Sequence, residues 1–314
     1  MALAGIVAAG KWLGGARDWD MLRRRFLAWW EGETWTEPPR GGRPEAPDAA
    51  GQDLPAADLR QSYWSTARIE VAQRVWGPEH LSPGGDAYVE YLLKPLALDP
   101  SLSVAEIGCG LGAATRLMHR SFGIWPKGFE ARPELLAAAI ELTAKAGLAK
   151  KVALSGIDLQ RPALKARSCD RIIARDVAHL VDDKPAFLAA LRQALKKRGQ
   201  LLLTDFVLPD DEVPSPLVAE WAAREPVVSR PWTVREMRDC LASLGLTIHI
   251  FEDETRQLRD RILEDWTACQ NALRAAPPAP AEAQAMLDEG ARWARCAAAL
   301  AAGALRHYRV IASC

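Results

Sequence analysis

The sequence of 314 residues predicts an α/β fold with a doubly wound, mostly parallel sheet of seven strands. Three observations predict it. Short apolar runs alternate with helical patterns over residues 104–205, which is typical of a parallel sheet with helices on both faces. A turn with glycines at 108, 110 and 112 joins the first apolar run directly to a helix. Two long helical stretches before a last strand-like run predict a helical lid inserted into this fold.

The individual elements follow from apolar periodicity and from the glycines and prolines that interrupt it. The predicted strands cover residues 104–107, 125–129, 151–155, 170–174, 200–205, 246–251 and 307–312. The predicted helices cover residues 63–76, 86–96, 113–121, 133–147, 184–197, 233–244, 254–272 and 280–304. We expect the proline-rich stretch 207–231 to be irregular.

The N-terminal segment 1–36 carries five of the twelve tryptophans and forms a predicted amphipathic helix. Arginines at 23–25 lie between apolar residues that recur at helical spacing, namely Trp19, Leu22, Phe26, Trp29 and Trp30. Two interpretations stay open. The helix packs on the core or on a second copy of the chain, or it lies on a membrane surface with tryptophans on one face and arginines on the other.

The remaining chain divides into three predicted segments. Residues 37–58 are rich in Pro, Gly, Ala and Asp and form a flexible linker. Residues 59–206 form a cofactor-binding core, and residues 207–314 form the lid together with the last two strands, which complete the core.

Composition narrows the function classes. Lys+Arg and Asp+Glu balance at 40 each, so the chain has no overall basic field for nucleic acid. The six cysteines form no Cys-x-x-Cys pair, which favours reduced thiols in the cytoplasm over a disulfide scaffold or a metal site. Since no stretch reaches 18 uninterrupted apolar residues, we expect a cytoplasmic protein that is at most peripheral at a membrane.

The glycine turn at residues 108–112 fits two cofactor patterns, G-x-G-x-x-G/A and G-x-G-x-G. Glu130 ends the second predicted strand twenty residues after Gly110, where it would accept hydrogen bonds from a cofactor's ribose hydroxyls. Glu106 lies two residues before the first glycine. A carboxylate there would crowd a pyrophosphate but suits a cofactor with an ammonium and a sulfonium group. The pattern indicates a nucleoside cofactor and favours a methyl donor.

Four segments in order resemble the motifs of class I S-adenosylmethionine-dependent methyltransferases: Glu106-Ile-Gly-Cys-Gly-Leu-Gly112, Ser155-Gly-Ile-Asp158, 170–179 and 195–205. In the last of these, Lys197 and Arg198 stand where that family usually has Pro-Gly. The resemblance implies a Rossmann-like methyltransferase fold that binds S-adenosyl-L-methionine, releases S-adenosyl-L-homocysteine and needs no metal. It assigns the cofactor to Glu106, Gly108, Cys109, Gly110, Gly112, Glu130, Ala131, Asp158, Leu159, Arg175 and Asp176.

Within that class the sequence is most similar to the phosphoethanolamine/phosphocholine-type N-methyltransferases. The similarity lies in residues 76–85, in the Arg-Asp-x-x-His run at 175–179, which is one residue shorter than the family's, and in Thr-Asp-Phe at 204–206. The resemblance implies a small amine or phospho-amine as methyl acceptor. It also implies that His179 and a tyrosine of the N-terminal region close over the amine; the candidates there are Tyr63 and its neighbour Trp64.

The chemistry of the acceptor suggests further residues. A protonated amine cannot attack the methyl group, and a neutral imidazole near pH 7 can accept its proton, so His179 is a candidate catalytic residue. The alternative is that His179 is a buried structural histidine. Trp221 and Trp232 form either a cation–π wall for the substrate or the core of the lid. A phosphate would need arginines, for which the candidates are Arg224, Arg230 and Arg306.

Other functions stay open from sequence alone. A lipid-like, quinone or secondary-metabolite acceptor would suit an apolar lid and a tryptophan-rich N-terminus. A non-catalytic, cofactor-binding scaffold would keep the fold without the chemistry, and a nicotinamide-dependent reductase would use the same glycine turn.

Overall fold

The computed structural model describes residues 63–210, 215–275 and 278–314. The predicted N-terminal helix 1–36 and linker 37–58 lie outside the described residues. The strands are β1 (Val104–Ile107), β2 (Lys127–Glu130), β3 (Ala153–Gly156), β4 (Cys169–Arg175), β5 (Leu195–Val207), β6 (Thr247–Asp253) and β7 (Arg306–Ser313).

Nine α-helices occur in the described part of the chain. They are α1 (Thr66–Trp76), α2 (Gly85–Leu93), α3 (Ala113–Phe122), α4 (Pro133–Lys145), α5 (Lys184–Ala194), α6 (Pro216–Ala222), α7 (Val234–Ser243), α8 (Thr255–Ala275) and α9 (Pro280–Ala301). Short 3₁₀ turns follow α2 at Lys94–Leu96 and follow β4 at Ala178–Leu180. Among these described helices, none has the length and apolar character needed to cross a bilayer.

The seven strands form one sheet in the order β3-β2-β1-β4-β5-β7-β6, which confirms the predicted fold class. Strands β1 to β5 pair in parallel, and β7 is antiparallel to both β5 and β6. The chain builds outward from β1 to β3 and then returns to build the other half from β4. Ligands bind at the carboxyl ends of the strands at such a reversal, here between β1 and β4.

Both faces of the sheet are buried, as expected for a parallel sheet. Neighbouring side chains of β4 point to opposite sides: Ile172 packs in one apolar cluster with Phe187, and Ile173 packs in another with Met118. A third cluster lies beneath α8 and α9, the predicted lid, where α9 contacts α1. Trp293 lies edge-on to Trp76 there, with ring centroids 4.8 Å apart.

Two local predictions were wrong. The helix predicted over 184–197 ends at Ala194, because Leu195 already pairs with Cys169 of β4 and is buried. The stretch 207–231 contains α6, whose start is capped by Ser215: its hydroxyl accepts a hydrogen bond from the Leu217 N–H, and Pro216 occupies the first helical position.

Ile173→Ala tests the double-sided core. Ile173 is fully buried in a central strand, so we expect the free energy of unfolding to fall by about 2–5 kcal/mol in urea titrations. Ile140→Ala on α4 is the matched control, since that side chain is 49% exposed and its loss should change stability by less than about 0.5 kcal/mol. Equal losses in the two variants would contradict the assignment of Ile173 to the core.

Candidate active site

The glycine turn after β1 has a conformation that requires glycine. The N–H groups of Gly108 and Cys109 both donate to the Phe129 carbonyl of β2, at 2.8 and 3.0 Å, which bends the chain away from the sheet. Gly108 has a φ of 72°, and a Cβ there would lie 2.2 Å from Cγ1 of Val177. The turn is therefore held tightly between β2 and the loop after β4.

A cavity of about 550 Å³ opens at the carboxyl ends of the strands, beside this turn. Its volume is that of a small-molecule site. Most of the site residues predicted from the sequence line it: Trp64, Gly108, Cys109, Gly110, Glu130, Ala131, Asp158, Leu159, Arg175, Asp176 and His179. The structure thus brings together residues that lie more than a hundred positions apart in the chain.

Glu130 lies at the end of β2 and faces the cavity. Its carboxylate accepts hydrogen bonds from the N–H groups of Gly110, at 2.7 Å, and Arg132, at 2.9 Å. Burial of this side chain raises its pKa above the ordinary glutamate value, although the backbone hydrogen bonds oppose the shift. The carboxylate is therefore fixed at the rim of the glycine turn, as a hydrogen-bond acceptor.

Two residues predicted to bind cofactor do not line the cavity. Glu106 is fully buried behind the turn, where it accepts a hydrogen bond from the Thr115 hydroxyl, at 2.5 Å, and pairs with Arg175, at 3.0 Å. Glu106 thus contacts the cavity only through Arg175. Gly112 precedes α3 as its N-cap, and a Cβ there would lie 2.9 Å from the Arg116 guanidinium.

His179 is held by Asp205, a residue to which the sequence assigned no role. The ring Nδ1 lies 2.6 Å from the Asp205 carboxylate, which also accepts the backbone N–H of His179 at 3.2 Å. Burial opposes protonation of the imidazole, but the charge and hydrogen bond of Asp205 outweigh it and raise the pKa of His179 above its ordinary value. Since Nδ1 is engaged, Nε2 is the ring nitrogen available on the cavity side.

A second carboxylate–histidine pair lies next to it. Asp176 has a left-handed backbone with a φ of 55°, and its Oδ1 accepts from the Thr204 hydroxyl and from Nε2 of His307, both at 2.8 Å. Burial alone would raise the pKa of Asp176, but His307 and Thr204 outweigh it and lower the pKa well below the ordinary value. Asp176 therefore faces the cavity as a carboxylate. Only the fold brings His307, on β7, to this position.

The side of the cavity beneath the lid, here called the lid wall, consists of Trp64, Phe206, Glu225, Arg292 and Trp293. Of the two N-terminal candidates, only Trp64 reaches it. Tyr63 lies behind the wall, with its hydroxyl 3.4 Å from Glu289 and its ring beneath the Arg68 guanidinium. Burial raises the pKa of Tyr63 far above the ordinary value, which keeps the phenol protonated. The structure thus does not place Tyr63 in the cavity lining.

The other predicted substrate residues lie outside the cavity lining. Trp221 is fully buried and packs behind the wall, 5.2 Å from Phe206 and 5.9 Å from His179 between ring centroids. Trp232 is buried in the apolar cluster of the sheet face, and Arg224 does not line the cavity. Trp221 is a core residue because α6 buries it, and Trp232 is a core residue because it packs in the cluster of the sheet face. The cavity's aromatic wall is formed instead by Trp64, Phe206 and Trp293.

Asp205→Asn tests the interaction between His179 and Asp205. Asparagine keeps the shape of the side chain but removes the charge that raises the His179 pKa, so we expect that pKa to fall in an NMR titration of the histidine ring protons. Because the folded pKa is raised, the pair stabilises the fold fully below the ordinary value of about 6.5 and loses this effect as pH rises through the folded pKa. The stability lost in Asp205→Asn should therefore be larger in acid than in alkali.

Asp182→Asn is the control for this titration, since Asp182 is exposed and pairs with Arg230. An unchanged His179 pKa in Asp205→Asn would contradict the proposed coupling.

Comparisons with known proteins show which family the chain belongs to and which proteins it is similar to. Residues 79–249, more than half of the chain, match a family model described as a methyltransferase domain. Phosphoethanolamine N-methyltransferase 1 of Arabidopsis thaliana is 26% identical over 202 residues, which are 63% of this chain and 40% of that enzyme. The 2-methyl-6-phytyl-1,4-hydroquinone methyltransferase of Synechocystis is 28% identical over 114 residues, 36% of this chain and 35% of that enzyme.

Among solved structures, the chain is similar to phosphoethanolamine N-methyltransferase 2 of Haemonchus contortus, in complex with phosphomonomethylethanolamine and S-adenosylhomocysteine. The TM-score is 0.69 at 19% identity, over 79% of this chain and 57% of that one. This likeness concerns the fold. The matches span 40%, 35% and 57% of the length of these three relatives.

Proposed function

Because the chain belongs to the methyltransferase domain family, we propose that it transfers the methyl group of S-adenosyl-L-methionine to a small amine or phospho-amine. One observation carries the proposal: the glycine turn and a histidine held by a buried aspartate line the same cavity. The relatives named phosphoethanolamine N-methyltransferase support an acceptor of that type.

The cavity fits a cofactor with a sulfonium and an ammonium group. Its lining contains five carboxylates and three guanidiniums among the described residues, so its field favours cations. Glu130 would accept the ribose hydroxyls, and Asp158 would contact the adenine amine. When bound, S-adenosyl-L-methionine supplies an electrophilic methyl group. The chain's contribution is to position the acceptor in line with that group.

His179 would remove the proton of the acceptor's ammonium group. Asp205 accepts a hydrogen bond from the Nδ1–H of the neutral ring, which leaves the Nε2 lone pair free to act as the base. Asp176 would hold the ammonium before the proton leaves, since it is a carboxylate in the same lining. Only neutral His179 can act as the base. The rate should therefore rise with pH through its raised pKa.

A lipid-like, quinone or secondary-metabolite acceptor is the second candidate. The three aromatic residues of the lid wall, Trp64, Phe206 and Trp293, favour this acceptor, as does the similarity to the hydroquinone methyltransferase. A phenol also needs a base, so His179 would have the same role there.

A methyl-transfer screen tests the proposal. Phosphoethanolamine, free amines, phenols and lipid headgroups are offered to the full chain with labelled S-adenosyl-L-methionine, and we expect transfer to amines. His179→Ala should keep cofactor affinity and lower kcat by about 10²–10⁴-fold, because it removes the base. Unchanged turnover would make His179 structural. Cofactor binding without transfer to any acceptor would favour the non-catalytic scaffold.

Gly110→Val tests the cofactor site. Gly110 has a φ of 56° and faces the cavity, and a Cβ there would already lie 3.2 Å from Leu81. We expect calorimetric titration to show no S-adenosyl-L-methionine binding by a variant whose circular dichroism is native. Gly147→Val, at a positive-φ position with no atom near its Cβ, controls for backbone strain and should bind normally. Retained affinity in Gly110→Val would refute the placement.

A further inference from the structure

The lid wall contains a buried ion cluster that methyl transfer to an amine does not by itself require. The Arg292 guanidinium pairs with Glu225 through Nε, at 3.2 Å, and Nη2, at 2.9 Å, and with Glu289 through Nη1, at 3.2 Å. Solvent reaches 12% of the Arg292 side chain, 6% of Glu225 and 1% of Glu289. Burying three charges is costly, and two of them, on Arg292 and Glu225, line the cavity, which points to a role in ligand recognition.

Glu289 is held by two aromatic side chains, those of Trp293 and Tyr63. One of its oxygens accepts the indole N–H of Trp293 at 2.7 Å, and the other lies 3.4 Å from the Tyr63 hydroxyl. Glu289 therefore holds Nη1 of Arg292 in place. Glu225 occupies the edge of the guanidinium formed by Nε and Nη2, which is the edge that binds carboxylates and phosphates with two parallel hydrogen bonds. Arg292 lines the cavity, but this edge of its guanidinium is already hydrogen-bonded to Glu225.

The charge of the cluster is negative. Two carboxylates surround one guanidinium, and of the two carboxylates it is Glu225 that lines the cavity. Each oxygen of Glu225 has a second lone pair, so it can accept an N–H of a ligand while it stays paired with Arg292. Asp176 adds a further carboxylate to the same cavity.

The other guanidiniums in the described lining are also paired. Arg175 pairs with Glu106, and Arg132 has Glu134 at 3.9 Å. The arginines predicted to bind a phosphate lie elsewhere. Arg230 pairs with Asp182, Arg306 pairs with Asp253 at 3.0 Å, and neither they nor Arg224 line the cavity.

We propose that Glu225, clamped by Arg292, selects a small cationic amine without a phosphate group as the methyl acceptor. The inference rests on the proposed function and specifies its substrate class. A phosphate at the lid wall would face the Glu225 carboxylate, which is 6% exposed, and repulsion between like charges is stronger where water is largely excluded from a charged group. An ammonium or alkylammonium group would instead find a hydrogen-bond acceptor in Glu225, beside the aromatic side chains of the lid wall.

The experiment compares kcat/KM of the full chain for ethanolamine and its N-methyl derivatives with kcat/KM for the corresponding phosphate esters. We expect the free amines to be preferred by about tenfold or more. Glu225→Gln should raise KM for the free amine about tenfold and leave the affinity for S-adenosyl-L-methionine unchanged. The ratio of kcat/KM for the free amine to kcat/KM for the phosphate ester should fall in this variant. Glu220→Gln, an exposed site on neighbouring α6, is the matched control and should behave like the native chain.

The outcomes separate the two proposals. Preference for the phosphate esters, or a ratio that Glu225→Gln leaves unchanged, overturns the selection by Glu225 while methyl transfer to amines stands. Transfer to phenols or lipids with none to either amine series overturns the proposed function and this inference with it. The affinity for S-adenosyl-L-methionine, measured in each variant, shows that the cofactor site is intact.

Discussion

The hydrogen bond between His179 and Asp205 is the interaction on which the candidate site depends. Asp205 lies on β5, which pairs with β4 on one side and β7 on the other, and its carboxyl group is inaccessible to solvent. It holds the histidine at the ring and at the backbone. The orientation of the imidazole is therefore set by the centre of the sheet, although His179 itself lies in a short 3₁₀ turn.

The carboxylates of the cavity differ because their surroundings differ. Glu130 and Asp176 face the same space, yet burial raises the pKa of Glu130, whereas His307 and Thr204 lower that of Asp176. His307 and Thr204 outweigh burial in the second case, and the backbone N–H groups do not outweigh it in the first. The cavity thus contains one carboxyl group suited to accept hydrogen bonds from hydroxyl groups, that of Glu130, and one suited to hold a cation, that of Asp176.

The sequence allowed the strands and the glycine turn to be predicted, because strand periodicity and positive-φ glycines are local properties. It could not show that Leu195 joins β5, since the evidence is its pairing with Cys169. The partners Asp205 and His307 depend on strand order, which places β5 beside β4 and β7 beside β5. Tyr63 and Trp64 are adjacent, and only packing against α9 decides which of them faces the cavity.

The position of β7 has a consequence for how the molecule is made. β7 follows β6 in the chain, yet it lies between β5 and β6 in the sheet. During synthesis β6 has no strand of the sheet to pair with until residues 306–313 have left the ribosome. Until then the edges of β5 and β6 that pair with β7 stay exposed. The same strand carries His307, the partner of Asp176. The pairing of β7 therefore joins β5 to β6 and also supplies the partner of Asp176.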